Sequence, residues 1–91
     1  METSLALLRR PEVEARTGLR RSTIYARIKL GLFVAPVLIG PRAVGFPAGE
    51  VEALNRARIA GMDDDSIKKI VKSLHAARRS HGVAQSLQAR G

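Results

Sequence analysis

Two short helices with a tight turn between them are predicted for residues 11–31, where apolar positions recur at helical spacing. Pro11 suits the first position of a helix, because its φ is already helical and the N–H that it lacks would have no partner there. Gly18 favours the positive φ with which many helices end. Ser22 is a good N-cap for a second helix that ends at Gly31. The apolar side chains expected to form a small shared core are Val13, Leu19, Ile24 and Ile28.

A β-hairpin is predicted after the second helix, where the helical periodicity is lost. Residues 36–39 and 44–46 are β-prone, and the turn over residues 40–43 has a proline at its second position, where its φ is already correct. Arg42 lies at the tip of this hairpin. A lone hairpin is marginal in water. We therefore expect it to pack on the helices through Val37, Ile39 and Phe46.

Two further helices are predicted after the hairpin. The third begins at Pro47 and ends at Gly61, and its inward face carries Val51, Leu54 and Ala57 or Arg58. The fourth begins with Asp63 as its N-cap. Its apolar residues have the helical i, i+3, i+4, i+7 spacing: Ile67, Ile70, Val71 and Leu74. Near the start of the chain, Leu5–Leu8 is predicted to be a short edge strand or an apolar plug.

These elements predict a mainly α fold with a small two-stranded β-hairpin, arranged as a winged helix-turn-helix. We expect this domain to cover residues 1–61 and an additional amphipathic helix to cover residues 62–80. A disordered basic tail is expected over residues 81–91, where periodicity is absent. The additional helix either packs on the core or mediates self-association through Ile67, Ile70, Val71 and Leu74.

Composition narrows the class of protein. A chain of 91 residues makes one domain, with a core too small to enclose a sizeable substrate pocket. Sixteen Lys and Arg against eight Asp and Glu leave a formal charge of +8, which indicates a polyanionic partner unless it serves only solubility. The absence of cysteine excludes disulfides and Cys-based zinc sites. The apolar run Leu5–Leu8 is too short for a signal peptide or a membrane span, so we expect a cytoplasmic protein.

No group of residues in the sequence predicts catalysis. There is no Gly-rich phosphate loop, and Tyr25 lacks the activating groups that a nucleophilic tyrosine needs. The acidic run 63–65 is interpreted as cap and dipole residues rather than metal ligands, and His75 and His81 as surface residues. We therefore expect no enzymatic activity, no metal and no cofactor.

The outer face of the second helix is small and basic, which suits the DNA major groove. Its outward positions and the two residues before them are Thr23, Ala26, Arg27, Arg20 and Arg21. The arginines suit contacts to phosphate or guanine, with solvated charge as the alternative, and Thr23 is either a base contact or a helix starter. Tyr25 is interpreted as a phosphate contact, and Arg42 as a contact to the narrow minor groove. The lysines of the fourth helix are interpreted as a solvated face, with auxiliary phosphate contact as the less favoured alternative: Lys68, Lys69 and Lys72.

The sequence resembles the AlpA family of phage and prophage regulators over roughly residues 7–60. The matching stretches are LLRRPEVEARTGLRRSTIYARI, GLFVAPVLIGPRAVGF and the helix that starts near Glu50. The family consists of small winged-helix proteins related in fold to excisionases and to the DNA-binding domain of MerR regulators. The resemblance implies a recognition helix in the major groove and a wing on the backbone or minor groove. Carried over by position, it implies DNA contacts by Arg21, Ser22, Thr23, Tyr25, Arg27 and, from the wing, Arg42.

The function that we expect is sequence-specific binding of double-stranded DNA, as a transcriptional regulator of a phage, prophage or integrative element. An excisionase that bends attachment-site DNA for a partner integrase is the alternative, because it needs the same helix and wing. A phage DNA-packaging component similar to a small terminase subunit is an alternative of another class. That class normally adds a long oligomerisation segment, which a chain of this length lacks.

Overall fold

A computed structural model describes residues 5–90 of the protein, with side chains described for residues 5–79. In chain order the elements are β1 (Leu7–Leu8), α1 (Arg10–Thr17), α2 (Arg21–Lys29), β2 (Val37–Gly40), β3 (Ala43–Pro47), α3 (Ala48–Ile59) and α4 (Asp64–Arg90). The mainly α fold with a small antiparallel sheet is confirmed, and it is compatible with a winged helix-turn-helix.

The sheet has three strands in the order β1-β3-β2, so the prediction of a two-stranded hairpin is wrong in the number of strands. Leu8 pairs with Phe46 in β3, and the Ala48 N–H donates to the Ala6 carbonyl at 2.8 Å. Of the two interpretations of Leu5–Leu8, the edge strand is therefore the one observed. The third strand has a physical reason, since two strands alone are marginal and Leu8 is buried against the core.

Only one face of the hairpin packs on the helices. Val37 pairs with Gly45, and residues paired across two strands share a face of the sheet. Because successive side chains alternate between faces, Phe46 points to the opposite face, where it is fully buried. Ile39 lies near Gly45 on the outer face and is 42% exposed. The prediction that Val37, Ile39 and Phe46 pack on the helices is confirmed for Phe46 and wrong for Ile39 and for Val37, which is half-buried on the outer face and is not part of the core cluster.

The core lies where the sheet meets the four helices. Val13 and Ile24 are fully buried, as predicted, and Leu19 and Ile28 are half-buried against them. The segment between α2 and β2 adds two buried side chains, Phe33 and Val34, for which the sequence has no periodic signal. The rings of Phe33 and Phe46 pack with centroids 6.0 Å apart. The remaining buried residues are Leu8, Ala48, Val51, Leu54, Ala57, Ile67 and Val71.

The apolar stripe of α4 packs on the chain's own core. Ile67 and Val71 are buried, and Ile70 and Leu74 are half-buried against the same cluster. The interpretation of these four residues as a self-association surface is therefore not retained, because their apolar surface is largely covered within the chain.

Two polar residues fasten α4 to the rest of the fold. Arg78 donates from Nε and Nη2 to the Glu50 carboxylate at 2.9 and 2.5 Å, and Nη2 also donates to the Ala35 carbonyl at 2.8 Å. His75 Nε2 accepts from the Ala35 N–H at 3.1 Å. His75 is thus half-buried rather than the predicted surface residue. The side chain of His81 lies outside the described residues.

The backbone of α4 is helical to Arg90, whereas the sequence predicts a helix to about residue 80 and then a disordered tail. The stretch 81–91 contains Ala, Gln, Leu and Arg, which favour a helical backbone even where no apolar period marks one. Side chains from position 80 onward, and Gly91 as a whole, lie outside the described residues.

Candidate nucleic-acid interface

The turn between α1 and α2 is held by local hydrogen bonds. Gly18 takes a φ of 73° and its N–H donates to the Glu14 carbonyl at 2.8 Å. Such a φ strains side chains that carry a Cβ, which explains glycine at this position. The Thr17 hydroxyl donates to the Val13 carbonyl at 2.7 Å and accepts from the Leu19 N–H at 3.2 Å. These bonds fix the conformation of the turn, and with it the position at which α2 begins relative to α1.

The first turn of α2 has no side-chain cap. Arg20, with extended φ and ψ, occupies the N-cap position, and its carbonyl accepts from the Ile24 N–H at 3.0 Å. The prediction of Ser22 as N-cap is wrong, because the helix already begins at Arg21 and Ser22 is inside its first turn. The first N–H groups of a helix have no partner within it. Those of α2 are left for water or for an anion.

The start of α2 differs from that of the other three helices in charge. Glu12 lies in the first turn of α1, Glu50 in that of α3, and Asp64 and Asp65 in that of α4. The first turn of α2 contains no acidic residue, although the helix dipole favours an anion there. No acidic residue occurs anywhere between positions 15 and 49. The complementary negative charge must come from outside this part of the chain.

The outer face of α2 is defined by the helical spacing of its exposed residues. Ser22, Ala26 and Lys29 recur at i, i+4 and i+7 and are exposed. Tyr25, 36% exposed, lies beside this row, and its ring centroid is 6.0 Å from Cζ of Arg21. This distance is within the range of a cation–π contact. The result is a small-residue face with basic residues at both ends.

Lys29 is the member of this face that sequence reasoning did not assign to DNA contact. Its position seven residues after Ser22 is the signal that could have placed it there. Thr23, by contrast, is half-buried at the edge of the face.

Arg27 does not occupy the outward position that was predicted for it. Its side chain is half-buried and lines a cleft of about 220 Å³. It lies one position before Ile28 and three after Ile24, both of which pack inward, and this spacing turns it away from the Ser22–Lys29 row. The other residues that line the cleft are Thr17, Leu19, Leu32, Phe33, Leu54, Asn55 and Arg58.

The wing carries one basic residue at its tip. Gly40 pairs with Ala43, which leaves Pro41 and Arg42 as the two-residue turn, and both are exposed. The predicted placement of Arg42 at the hairpin tip is confirmed. No described side chain forms an ion pair with it.

Ion pairs divide the basic residues of the described part of the chain into two groups. Four arginines on α1, α3 and α4 have carboxylate partners: Arg10 with Glu14 at 2.9 Å, Arg16 with Glu12 at 3.2 Å, Arg58 with Asp64 at 3.5 Å and Arg78 with Glu50 at 2.5 Å. Within residues 5–79, the basic residues of α2, its N-cap and the wing have none: Arg20, Arg21, Arg27, Lys29 and Arg42. Every basic residue of the second helix, its N-cap and the wing therefore lacks a carboxylate partner. The other described basic residues without one are Arg9, Arg56, Lys68, Lys69, Lys72 and Arg79.

The described residues lack two other features that could indicate a function. None of the helices is long and apolar enough to cross a membrane. No group of three or more His, Cys, Asp or Glu side chains is placed to hold a metal ion.

Comparison with known proteins gives a family for this architecture. The family model described as prophage CP4-57 regulatory protein (AlpA) matches residues 6–59. The chain belongs to the AlpA family. The resemblance inferred from the sequence is thereby confirmed, and the AlpA match spans β1 to α3, so it includes both α2 and the wing.

A relative of the AlpA-family chain occurs in Enterobacteria phage P4. The uncharacterized protein ORF88 of that phage is 44% identical over 59 residues, which are 65% of this chain and 67% of the phage protein. No solved structure matches the chain significantly. Because the AlpA match ends at residue 59, α4 lies outside it.

Proposed function

We propose that this protein is a sequence-specific DNA-binding regulator of phage or prophage genes that reads the major groove with α2. The observation that carries the proposal is the exposed start of α2, which has no acidic residue, no side-chain cap and two unpaired arginines at Arg20 and Arg21. Membership of a family of prophage regulatory proteins supports the same function.

The chemistry of the α2 face suits a DNA groove. The free N–H groups of its first turn and Arg20 would bind phosphate oxygens, which position a protein on the duplex without reading sequence. Arg21, Ser22 and Tyr25 would then approach base edges, because recognition helices dock with their N-terminal residues toward the bases. Lys29, at the other end of the helix, would contact the adjacent backbone. The small side chain of Ala26 lets the helix come close to the groove floor.

Arg42 would contribute from the wing. An exposed, unpaired cation at a two-residue turn reaches the backbone or the narrow minor groove, where A·T-rich sequence strengthens the negative potential. Arg42→Ala should weaken binding to specific and random DNA to a similar extent. Wild-type affinity in that variant would mean that the wing has only a structural role.

Arg21→Ala, with Arg56→Ala as control, tests the role of α2. The target is first selected from a random duplex pool, and affinities for target and random duplexes are measured by fluorescence anisotropy at two salt concentrations. Arg21→Ala should lower the ratio of the two affinities, since a good base contact is worth about 1–3 kcal/mol. Arg56 is exposed on α3, four residues after Glu52 on the same face. Equal ratios in the two variants would exclude Arg21 from sequence reading.

The arrangement of the selected sites in a phage or prophage genome distinguishes the two possible roles. A single site that overlaps a promoter supports the regulator. Clustered direct repeats beside an integrase gene would instead support an excisionase, which bends DNA for a partner integrase.

A further inference from the structure

We propose that α4 provides a second DNA contact, a basic flank formed by Lys68, Lys72 and Arg79, which holds phosphates beside the site that α2 reads. The inference rests on the proposed function and extends the DNA-binding surface beyond the helix-turn-helix and the wing. It concerns a helix outside the family match, so it follows from the residues of this chain alone.

Two contacts place the basic flank next to α2. A methyl group built on Gly31 would lie 3.9 Å from Cγ of Lys68, and Gly31 comes two residues after the end of α2. His75, seven residues after Lys68 and so on the same line of the helix, accepts from the Ala35 N–H. This side of α4 therefore runs along the segment that leaves α2. Lys72 and Arg79 are four residues from Lys68 and His75 respectively, and they continue the same line.

The charges on α4 are separated along its length. Its acidic residues are confined to the start, where Asp64 pairs with Arg58 at 3.5 Å. No acidic residue occurs between Ser66 and Arg79. All three members of the basic flank are exposed, and none forms an ion pair with a described residue. The flank thus adds unpaired positive charge beside the segment that leaves α2.

The basic flank is held rigidly with respect to α2. Ile67 and Val71 are buried in the shared core, and Arg78 bonds to both Glu50 and the Ala35 carbonyl. A helix that is already fixed in the free protein loses less conformational entropy on binding. From Lys68 to Arg79 the flank is about 16 Å long, the axial length of roughly five base pairs. A row of separated cations of this length suits a phosphate backbone better than a compact acidic ligand.

Lys68→Gln/Lys72→Gln tests the inference, with Arg56→Gln/Lys69→Gln as control for net charge. Lys69 follows Lys68 but points about 100° away around the helix. Affinities are measured over a range of salt on two duplexes. One is trimmed to the base pairs that selection from the random pool defines, and the other extends them by about one helical turn, about 10 base pairs, on each side. Circular dichroism checks that all variants are folded.

The expected result is specific to the longer duplex. There, the slope of log affinity against log salt should fall by about 0.9 for each lost phosphate contact, or about 1.8 for the double variant. On the trimmed duplex, and in the control on either duplex, the change should be much smaller. A fall in this slope that is equal in control and test variants, or independent of duplex length, would contradict a DNA contact by the basic flank.

The binding measurements distinguish a failure of this inference from a failure of the proposed function. If wild type binds both duplexes with the same affinity and the test variant keeps the wild-type slope, the flank makes no DNA contact while α2 still binds. That result would leave an acidic protein surface as the partner of the flank. If wild type binds neither duplex, the proposed function and this inference are both overturned.

Discussion

Gly45 in β3 lies close to side chains of both neighbouring strands. A Cβ atom at this position would lie 3.0 Å from Leu7 Cβ in β1 and 3.4 Å from Ile39 Cδ1 in β2. The first distance is tighter than nine in ten real Cβ contacts, and Leu7 Cβ moves only with its backbone. The absence of a side chain at Gly45 therefore lets β1 and β2 flank β3 at normal spacing.

Gly45→Ala should destabilise the protein by about 1–3 kcal/mol, as overpacking of a closed site does. The strain falls on β1, which has only two residues. The free energy of unfolding, measured by urea denaturation, checks the prediction. Gly40→Ala is the control, because its Cβ would lie at an ordinary 3.6 Å from Ala43 Cβ. If Gly45→Ala is as stable as this control, β1 adapts at no cost.

At the scale of elements, the start of α4 depends on one carboxylate. Asp63 Oδ1 accepts from the Ser66 N–H at 2.8 Å, and the pKa of Asp63 is lowered from 3.8 chiefly by this backbone hydrogen bond. The predicted N-cap is thus confirmed. A group whose pKa is lower in the folded state stabilises the fold above its unfolded pKa. That contribution is lost as the pH falls through the folded pKa.

Asp63→Ala should therefore lower the melting temperature at neutral pH, and the difference from wild type should shrink as the solution is acidified below about pH 4. Thermal unfolding followed by circular dichroism over a pH series measures this. Asp65→Ala, which removes an exposed charge from the same turn, is the control for the helix dipole. A difference from wild type that stays constant down to the lowest pH would contradict a role of the ionised carboxylate.

The elements that could be predicted from the sequence are those that local signals specify. Gly18, Asp63 and the turn at Pro41 act within a few residues, so the end of α1, the start of α4 and the wing tip were predicted correctly. Repeated apolar spacing likewise predicted that Ile24 and Val51 are buried.

The features that the sequence did not predict depend on distant partners. Leu7–Leu8 becomes a strand only because β3, some forty residues later, offers an edge. Phe33 and Val34 are buried by elements that surround an irregular segment. Arg27 lies on the flank of α2 between the outer row and the buried residues, and residues of α3 that line the same cleft cover this flank.

At the scale of the whole molecule, the folding unit is larger than the helix-turn-helix with its wing. Arg78, 26% exposed, and Glu50, 12% exposed, join α4 to α3, and the core includes Ile67 and Val71. Burying these two apolar side chains is worth about 3–6 kcal/mol. That is comparable with the total stability of a small domain, about 5–15 kcal/mol.

A chain truncated after Gly61 should therefore fail to unfold cooperatively. Its α3 would expose the apolar surface that α4 covers in the full chain. A chain truncated after Arg79 keeps Ile67, Val71 and Arg78 and is the matched control. Urea denaturation and proton NMR dispersion measure the difference, and a well-folded shorter chain would contradict the view that α4 belongs to the core.

The pairing of β1 with β3 and the bond of Ala35 to Arg78 have a consequence for synthesis. Ala6 and Leu8 are synthesised early, but Ala6 accepts a hydrogen bond from Ala48 and Leu8 pairs with Phe46. The Ala35 carbonyl accepts from Arg78, which is synthesised 43 residues later. On a ribosome, which adds about 5–20 residues per second, the native core cannot close until residue 78 has emerged. The helix-turn-helix, translated early, should thus reach its final rigidity only when α4 has emerged as far as Arg78.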